Sequence, residues 1–120
     1  MADRDPSYQA DCLFCRIAAG EIPADRVFED ESVIVFRDIN PKAPTHVLAI
    51  PRRHLDSVDD LTDAEADLLA ALFSAMRRVA KQGGLKGYRI ISNVGAESGQ
   101  SVFHLHFHLL GGRPMAWPPG

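Results

Sequence analysis

The chain has 120 residues, 46% of them hydrophobic and 24% charged, with a formal net charge of -3. That length suits one domain with a modest core and is too short for two. The acidic balance argues against a nucleic-acid polymer as the main partner, because phosphate-backbone binding needs a basic face, while small anionic ligands remain compatible with a local pocket. No apolar run approaches the roughly 20 residues of a membrane span, and MADRDPSYQAD does not read as a signal peptide. No membrane partner and a cytoplasmic location are therefore expected, and Cys12 and Cys15 are not expected to form a structural disulfide.

In chain order, residues 1–11 are polar and read as a flexible N-terminus, followed by a single domain over 12–120 that ends in a WPPG tail. CLFCRIAAGEIP (12–23) reads as a short helix, with Cys12, Cys15, Ile17 and Ala19 on an apolar side, Gly20 as a C-terminal cap and Pro23 as a stop. RVFED (26–30) and SVIVFRD (32–38) are β-branched and aromatic strands around an acidic turn. INPKAPTH (39–46) carries two prolines and reads as a loop, and HVLAIP (46–51) as a third strand.

From Thr62 to about Gln82 the spacing predicts the long helix. Thr62 and Glu65 stand as a capping box, and Leu68, Leu69, Leu72, Phe73, Met76, Val79 and Ala80 repeat at helical intervals up to Gly83-Gly84. This stripe reads as core packing. GYRIISNV (87–94) and SVFHLHFHLL (101–110) complete the strands. The expected fold is α+β, an antiparallel five-stranded sheet with one long and one short helix.

The last strand carries the chemistry. Three of the five histidines, His104, His106 and His108, alternate along it and so share one face, while Phe103, Leu105, Phe107 and Leu109 face the core. Three imidazoles in alternation are improbable as a merely polar face. Neutral imidazole serves as nucleophile, general base, hydrogen-bond donor or metal ligand near pH 7. Directly upstream, NVGAESGQS (93–101) offers Gly95 and Gly99, whose backbone can approach an anion, and the side chains of Asn93, Gln100 and Ser101. A donor-rich loop entering aligned histidines suggests a phosphate attacked by an imidazole.

HLHFHLL resembles the His-φ-His-φ-His-φ-φ signature (φ apolar) of the histidine triad superfamily. GQSVFHLHFHLLGGRPMAWPPG and FRDINPKAPTHVLAIPRRH resemble the C-terminal and middle segments of its nucleotide-binding branch, the purine nucleoside phosphoramidases. The resemblance implies a hydrolase that cleaves the P–N or acyl-phosphate bond of purine nucleoside 5'-monophosphate derivatives, with no organic cofactor. It makes His106 the nucleophile that forms a nucleotidyl-histidine, His108 a phosphate contact, and Ser101 a partner of the leaving atom. Asn93 and the Gly99–Ser101 backbone, Gln100 included, would line the phosphate. Asp38 would accept from the ribose hydroxyls, Ile39 would meet the base, and His46 would orient the nucleophile or relay protons. Two other readings are a dimeric purine-nucleotide sensor with incidental activity and a dinucleoside polyphosphate hydrolase; the intact triad speaks against the first and the tail against the second.

The tail GGRPMAWPPG cannot extend a sheet, so it either folds back on its own domain or packs on a partner. The resemblance implies a homodimer with Trp117 at the interface. The Cys12-x-x-Cys15 pair reads as two small buried residues, a redox dithiol or half of a zinc site. Some bacterial members of the superfamily bind structural zinc through such a pair with a later histidine and the first triad histidine, which by resemblance are His54 and His104.

Overall fold

The computed structural model describes residues 4–120, so the first three positions of the expected flexible N-terminus lie outside the described residues. Strands β1 (Arg26–Glu29), β2 (Val33–Arg37), β3 (Thr45–Pro51), β4 (Tyr88–Ile91) and β5 (Phe107–Gly111) form one sheet in the order β1-β2-β3-β5-β4, antiparallel throughout. The α+β expectation of five strands with one long and one short helix holds.

VIVF in β2 and VLAI in β3 are apolar at every position, which suits strands covered on both faces. One helix covers each face. Val33, Val35, Val47, Ala49, Phe107 and Leu109 pack with Leu72 and Met76 of α2 (Ala66–Gln82). Ile34, Phe36, Leu48 and Ile50 pack with Phe14, Cys15 and Ile17 of α1 (Leu13–Ala18). His46 and His108 belong to the α1 face by alternation, so the thick helix supports the sheet from behind while the thin one borders the histidines.

The capping box forms as the spacing predicts. Glu65 Oε1 accepts the Thr62 N–H at 2.7 Å, at a 3-10 turn (Asp63–Glu65) that leads into α2. The short helix covers six residues of the 12–23 stretch, and Gly20, expected as its cap, takes a positive φ of 77° just past its end. Cys12 is its N-cap, its Sγ accepting the Cys15 N–H at 3.3 Å, and the chain leaves it at Ala19. Residues of the N-terminal segment touch the domain: Ser7 Oγ accepts the His54 N–H at 2.7 Å, and Tyr8 donates to Glu21 at 2.6 Å.

The largest departure concerns the last strand. It was expected over 101–110, but its ladder begins at Phe107, opposite Ala49 of β3 and one residue before His108 meets Ile91 of β4. Two positions back the ladder would have to pair Leu105 with Pro51, which has no N–H to contribute. The Leu105 N–H instead donates to the Leu55 carbonyl at 2.6 Å. His104 and His106 therefore precede the sheet. Leu105, Phe107 and Leu109 do face the core, but Phe103, assigned to it by alternation, is half-exposed because the alternation ends before it.

Met76 lies fully buried on the α2 face, away from the histidines. Met76→Ala should lower stability by about 2–5 kcal/mol, read by chemical denaturation, through lost transfer free energy and an unfilled cavity.

Candidate active site and metal centre

Leu13, Phe14, Ile17, Ile22, Phe36 and Leu48 form the apolar side of a cleft of about 490 Å³ between α1, β2 and the loop that enters β5. Asp38, Ile39, Asn93, Gly99, Ser101, His106 and His108 complete its lining. Most of the residues expected to bind nucleotide thus come together from four separate stretches of sequence. Ile39 stands fully exposed at the rim. The apolar wall, with the Phe14 ring edge-on to His106 at 5.1 Å, has no local signature and escaped the sequence reading; its residues look like ordinary core.

Burial disfavours the charged form of each inner imidazole. It lowers the pKa of His46 and His106, and takes those of His104 and His108 to about 4, with neighbouring imidazoles adding to the shift at His104 and His108. All four are neutral at pH 7, and a neutral imidazole carries one N–H and one lone pair. Hydrogen bonds then fix which nitrogen has which.

His106 Nδ1 lies 2.7 Å from the His104 carbonyl oxygen, which only accepts, so Nδ1 carries the proton and Nε2 keeps its lone pair. His46 Nδ1 accepts the Lys42 N–H at 3.0 Å, so its Nε2–H donates to His108 Nδ1 at 2.9 Å. That leaves the proton of His108 on Nε2. The triad therefore presents one lone pair and one N–H donor as adjacent rings, centroids 5.1 Å apart. Asp38 Oδ2 stands 3.4 Å from His46 Nε2, and its Oδ1 accepts the Asn40 N–H at 2.8 Å, so the expected ribose acceptor also touches the relay behind His108.

In the loop, Gly95 and Gly99 take positive φ of 83° and 100°, a conformation that favours glycine. Gln100, expected at the phosphate, is not part of the cleft. Its Oε1 accepts the Gly95 N–H, its Nε2 donates to the carbonyls of Asp56 and Val102, and it is buried. The N–H groups of Gly99 and Gln100 also turn inward, to Ala96 and Gly95. Of the expected Gly99–Ser101 amides, that of Ser101 has no acceptor among the described residues, because the other two close the turn.

Behind the triad, Cys12, Cys15, His54 and His104 form a second cluster whose four donor atoms all lie within 4.8 Å of one another. His104 Nε2 donates to the Pro51 carbonyl at 2.8 Å, and His54 Nε2 donates to Asp56 at 2.7 Å. Each ring thereby turns an Nδ1 lone pair toward the thiols: 3.3 Å from His104 to Cys12, 3.6 Å from His104 to Cys15, and 3.3 Å from His54 to Cys15. Zinc bonds of about 2.0–2.3 Å at tetrahedral angles require donor separations of roughly 3.5 Å, so the set fits zinc. Asp56 behind His54 is the familiar carboxylate that orients a metal-binding imidazole; it went unnoticed in the sequence, although the spacing His-Leu-Asp was visible. Burial pushes the Cys15 thiol up to about 11 without a metal, a shift that a divalent cation would reverse.

Trp117 is 81% exposed, and it does not fold back into the core of its own domain. The Arg89 guanidinium stands 6.0 Å from its ring, and Arg89 also donates to the Ala116 carbonyl. No helix among the described residues is long and apolar enough to cross a membrane.

Comparison with known proteins agrees with this geometry. Residues 11–116 match the family model described as scavenger mRNA decapping enzyme C-term binding. A 14 kDa zinc-binding protein of Zea mays is 50% identical over 112 residues, covering 90% of this chain and 87% of that one. The crystal structure of a HIT family hydrolase from Legionella pneumophila is 51% identical with a TM-score of 0.90, covering 92% of this chain and 100% of that one. A HIT family hydrolase from Clostridium thermocellum is 45% identical with a TM-score of 0.88, covering 90% and 96%. With His106 and His108 lining one cleft, His104 buried behind them and relatives of this similarity along nearly its whole length, the chain belongs to the histidine triad, or HIT, family.

Proposed function

We propose that this protein is a nucleotide hydrolase of the phosphoramidase type, acting on purine nucleoside 5'-monophosphates that carry an N-linked or acyl leaving group. The observation that carries the reading is the tautomer pair: a free lone pair on His106 Nε2 beside an N–H on His108 Nε2, both on the cleft. The solved relatives titled HIT family hydrolases support hydrolysis, and the apolar wall of Phe14, Ile17 and Phe36 suits a flat base.

In this mechanism the base lies against that wall, with Ile39 at the rim and Asp38 accepting from the ribose diol. His106 Nε2 attacks phosphorus, the P–N bond breaks, and the amine departs with a proton delivered from solvent through the Ser101 hydroxyl. The His108 N–H, Asn93 and the Ser101 amide hold the extra negative charge on the phosphoryl oxygens. Water then attacks the nucleotidyl-histidine, releasing the nucleoside monophosphate and restoring the neutral His106. His46, held by Lys42 and near Asp38, keeps the proton of His108 on the nitrogen that faces the phosphate.

The same reading assigns zinc to Cys12, Cys15, His54 and His104, supported by the name of the maize relative and the donor geometry. Zinc there supplies a cross-link rather than chemistry, since four protein ligands leave no open position for water. Homodimerisation is part of the proposal, supported by the exposed Trp117 and Tyr88 and by the position of β4 at an edge of the sheet.

His106→Ala should abolish turnover of adenosine 5'-phosphoramidate by several orders of magnitude while nucleotide affinity stays close to wild type, as removal of a covalent route requires. Steady-state kinetics beside calorimetric binding checks this, and a parallel assay on a diadenosine polyphosphate shows which leaving group the cleft prefers. Near-normal turnover in the variant would exclude the covalent route. Metal analysis of protein purified without chelator should give about one zinc per chain, absent from a Cys12→Ser/Cys15→Ser variant. Light scattering after size exclusion should report about twice the 13.2 kDa chain mass at micromolar protein, and a monomer would remove the interface role of Trp117.

A further inference from the structure

We propose that His104 is a positioning residue for the nucleophile: its side chain is gripped by the cysteine–histidine cluster, and its main-chain carbonyl sets the place and tautomer of His106. The proposal rests on the zinc reading of that cluster. It goes further by making catalysis depend on a site that touches no substrate.

The first support is where the sheet ends. The β5 ladder starts at Phe107, so neither His104 nor His106 is placed by ladder hydrogen bonds. The nucleophile stands on a short segment between a loop and a strand. Four side-chain or main-chain anchors hold that segment. Gln100 ties its start to Asp56 and Val102, Leu105 N–H donates to Leu55, Ser92 donates to the His106 carbonyl, and His104 is fixed by its ring.

Among these anchors, His104 alone bonds directly to the nucleophilic ring. Its carbonyl accepts from His106 Nδ1 at 2.7 Å, the contact that keeps the lone pair on Nε2. Its own ring is fully buried, edge-on to both His54 and Phe14, with Nε2 donating to Pro51 and Nδ1 between the two sulfurs. With zinc bound, the ring cannot rotate without breaking a metal bond. Without it, the remaining polar contacts of the ring are the Pro51 carbonyl and the two cysteine sulfurs, which are weak hydrogen-bonding partners. The Cα of His104 is then no longer pinned through its ring to the cluster, so the peptide unit that follows can turn about the Cα–C bond and take the carbonyl away from the Nδ1–H of His106. The other tautomer, with the proton on Nε2, has no lone pair for phosphorus.

The two functions sit on opposite ends of one residue. That explains why the first triad histidine is fully buried and absent from the cleft lining, whereas the second and third line it.

The test compares zinc-loaded wild type with two metal-site variants, His54→Ala and Cys12→Ser/Cys15→Ser, and with a core control, Leu72→Ala. None of these residues lines the nucleotide cleft. Three quantities are measured: bound zinc, kcat and KM on adenosine 5'-phosphoramidate, and the His106 Nδ1–H resonance with its exchange rate by NMR. Loss of metal should lower kcat roughly 10- to 100-fold with little change in KM, since misplacing a reacting group costs turnover rather than ground-state binding. The Nδ1–H resonance should exchange faster or vanish. Leu72→Ala, destabilised but loaded with zinc, should keep both. Reconstituting chelator-stripped wild type with cobalt, followed by its visible thiolate-ligand bands, should restore kcat and the resonance together. If the double variant does not fold, the stripped wild type at unchanged far-ultraviolet circular dichroism gives the same comparison. Metal loss with kcat and the resonance unchanged would overturn the positioning role and leave the zinc reading standing. Wild type that binds neither zinc nor cobalt would overturn the zinc reading and the proposal with it.

Discussion

A single hydrogen bond, from the Nδ1–H of His106 to the main-chain oxygen of His104, decides what the cleft can do. It places the proton of a neutral imidazole on one nitrogen and leaves a lone pair on the other, the nitrogen proposed to attack phosphorus. Everything around it makes that choice stable. Burial lowers the pKa of the ring and so favours its uncharged form, with one N–H rather than two. The second relay, Lys42 to His46 to His108, applies the same logic in reverse and points a proton where the first points a lone pair.

These tautomers require a rigid frame, and the sheet supplies it by being covered on both faces. α2 fills one face with Leu72 and Met76, while α1 and the histidines share the other. The protein thus has little room for a conventional thick core on the active side. Six residues of helix, capped by a cysteine and joined to the sheet through Cys12 and Cys15, border a site that in a larger protein would be enclosed by more chain. A metal cross-link is a common remedy where a small domain lacks apolar mass.

The two sites are also separated by chemistry. In the cleft, polar donors converge on open space; in the cluster, four donors converge on one point. His104 belongs to the second although its sequence neighbours belong to the first. An imidazole with Nε2 already tied to a carbonyl offers a single lone pair, and it points inward to the sulfurs.

The sequence by itself determined the element types, the long helix with its cap at Thr62, and the family motif that singles out the candidate reacting residues, because these depend on local periodicity and on a motif confined to seven residues. Alternation put Leu105, Phe107 and Leu109 toward the core, and there it was right. It failed at Phe103, and the strand began late, because Pro51, half a chain away, cannot continue the ladder. Gln100 looked like a phosphate ligand in the sequence; only the fold shows that its amide braces the loop from behind, a use that depends on the Asp56 carbonyl 44 residues earlier. The tautomers, the apolar wall and the aim of each Nδ1 were likewise decided by tertiary structure alone, since each depends on a partner atom that no local pattern can place.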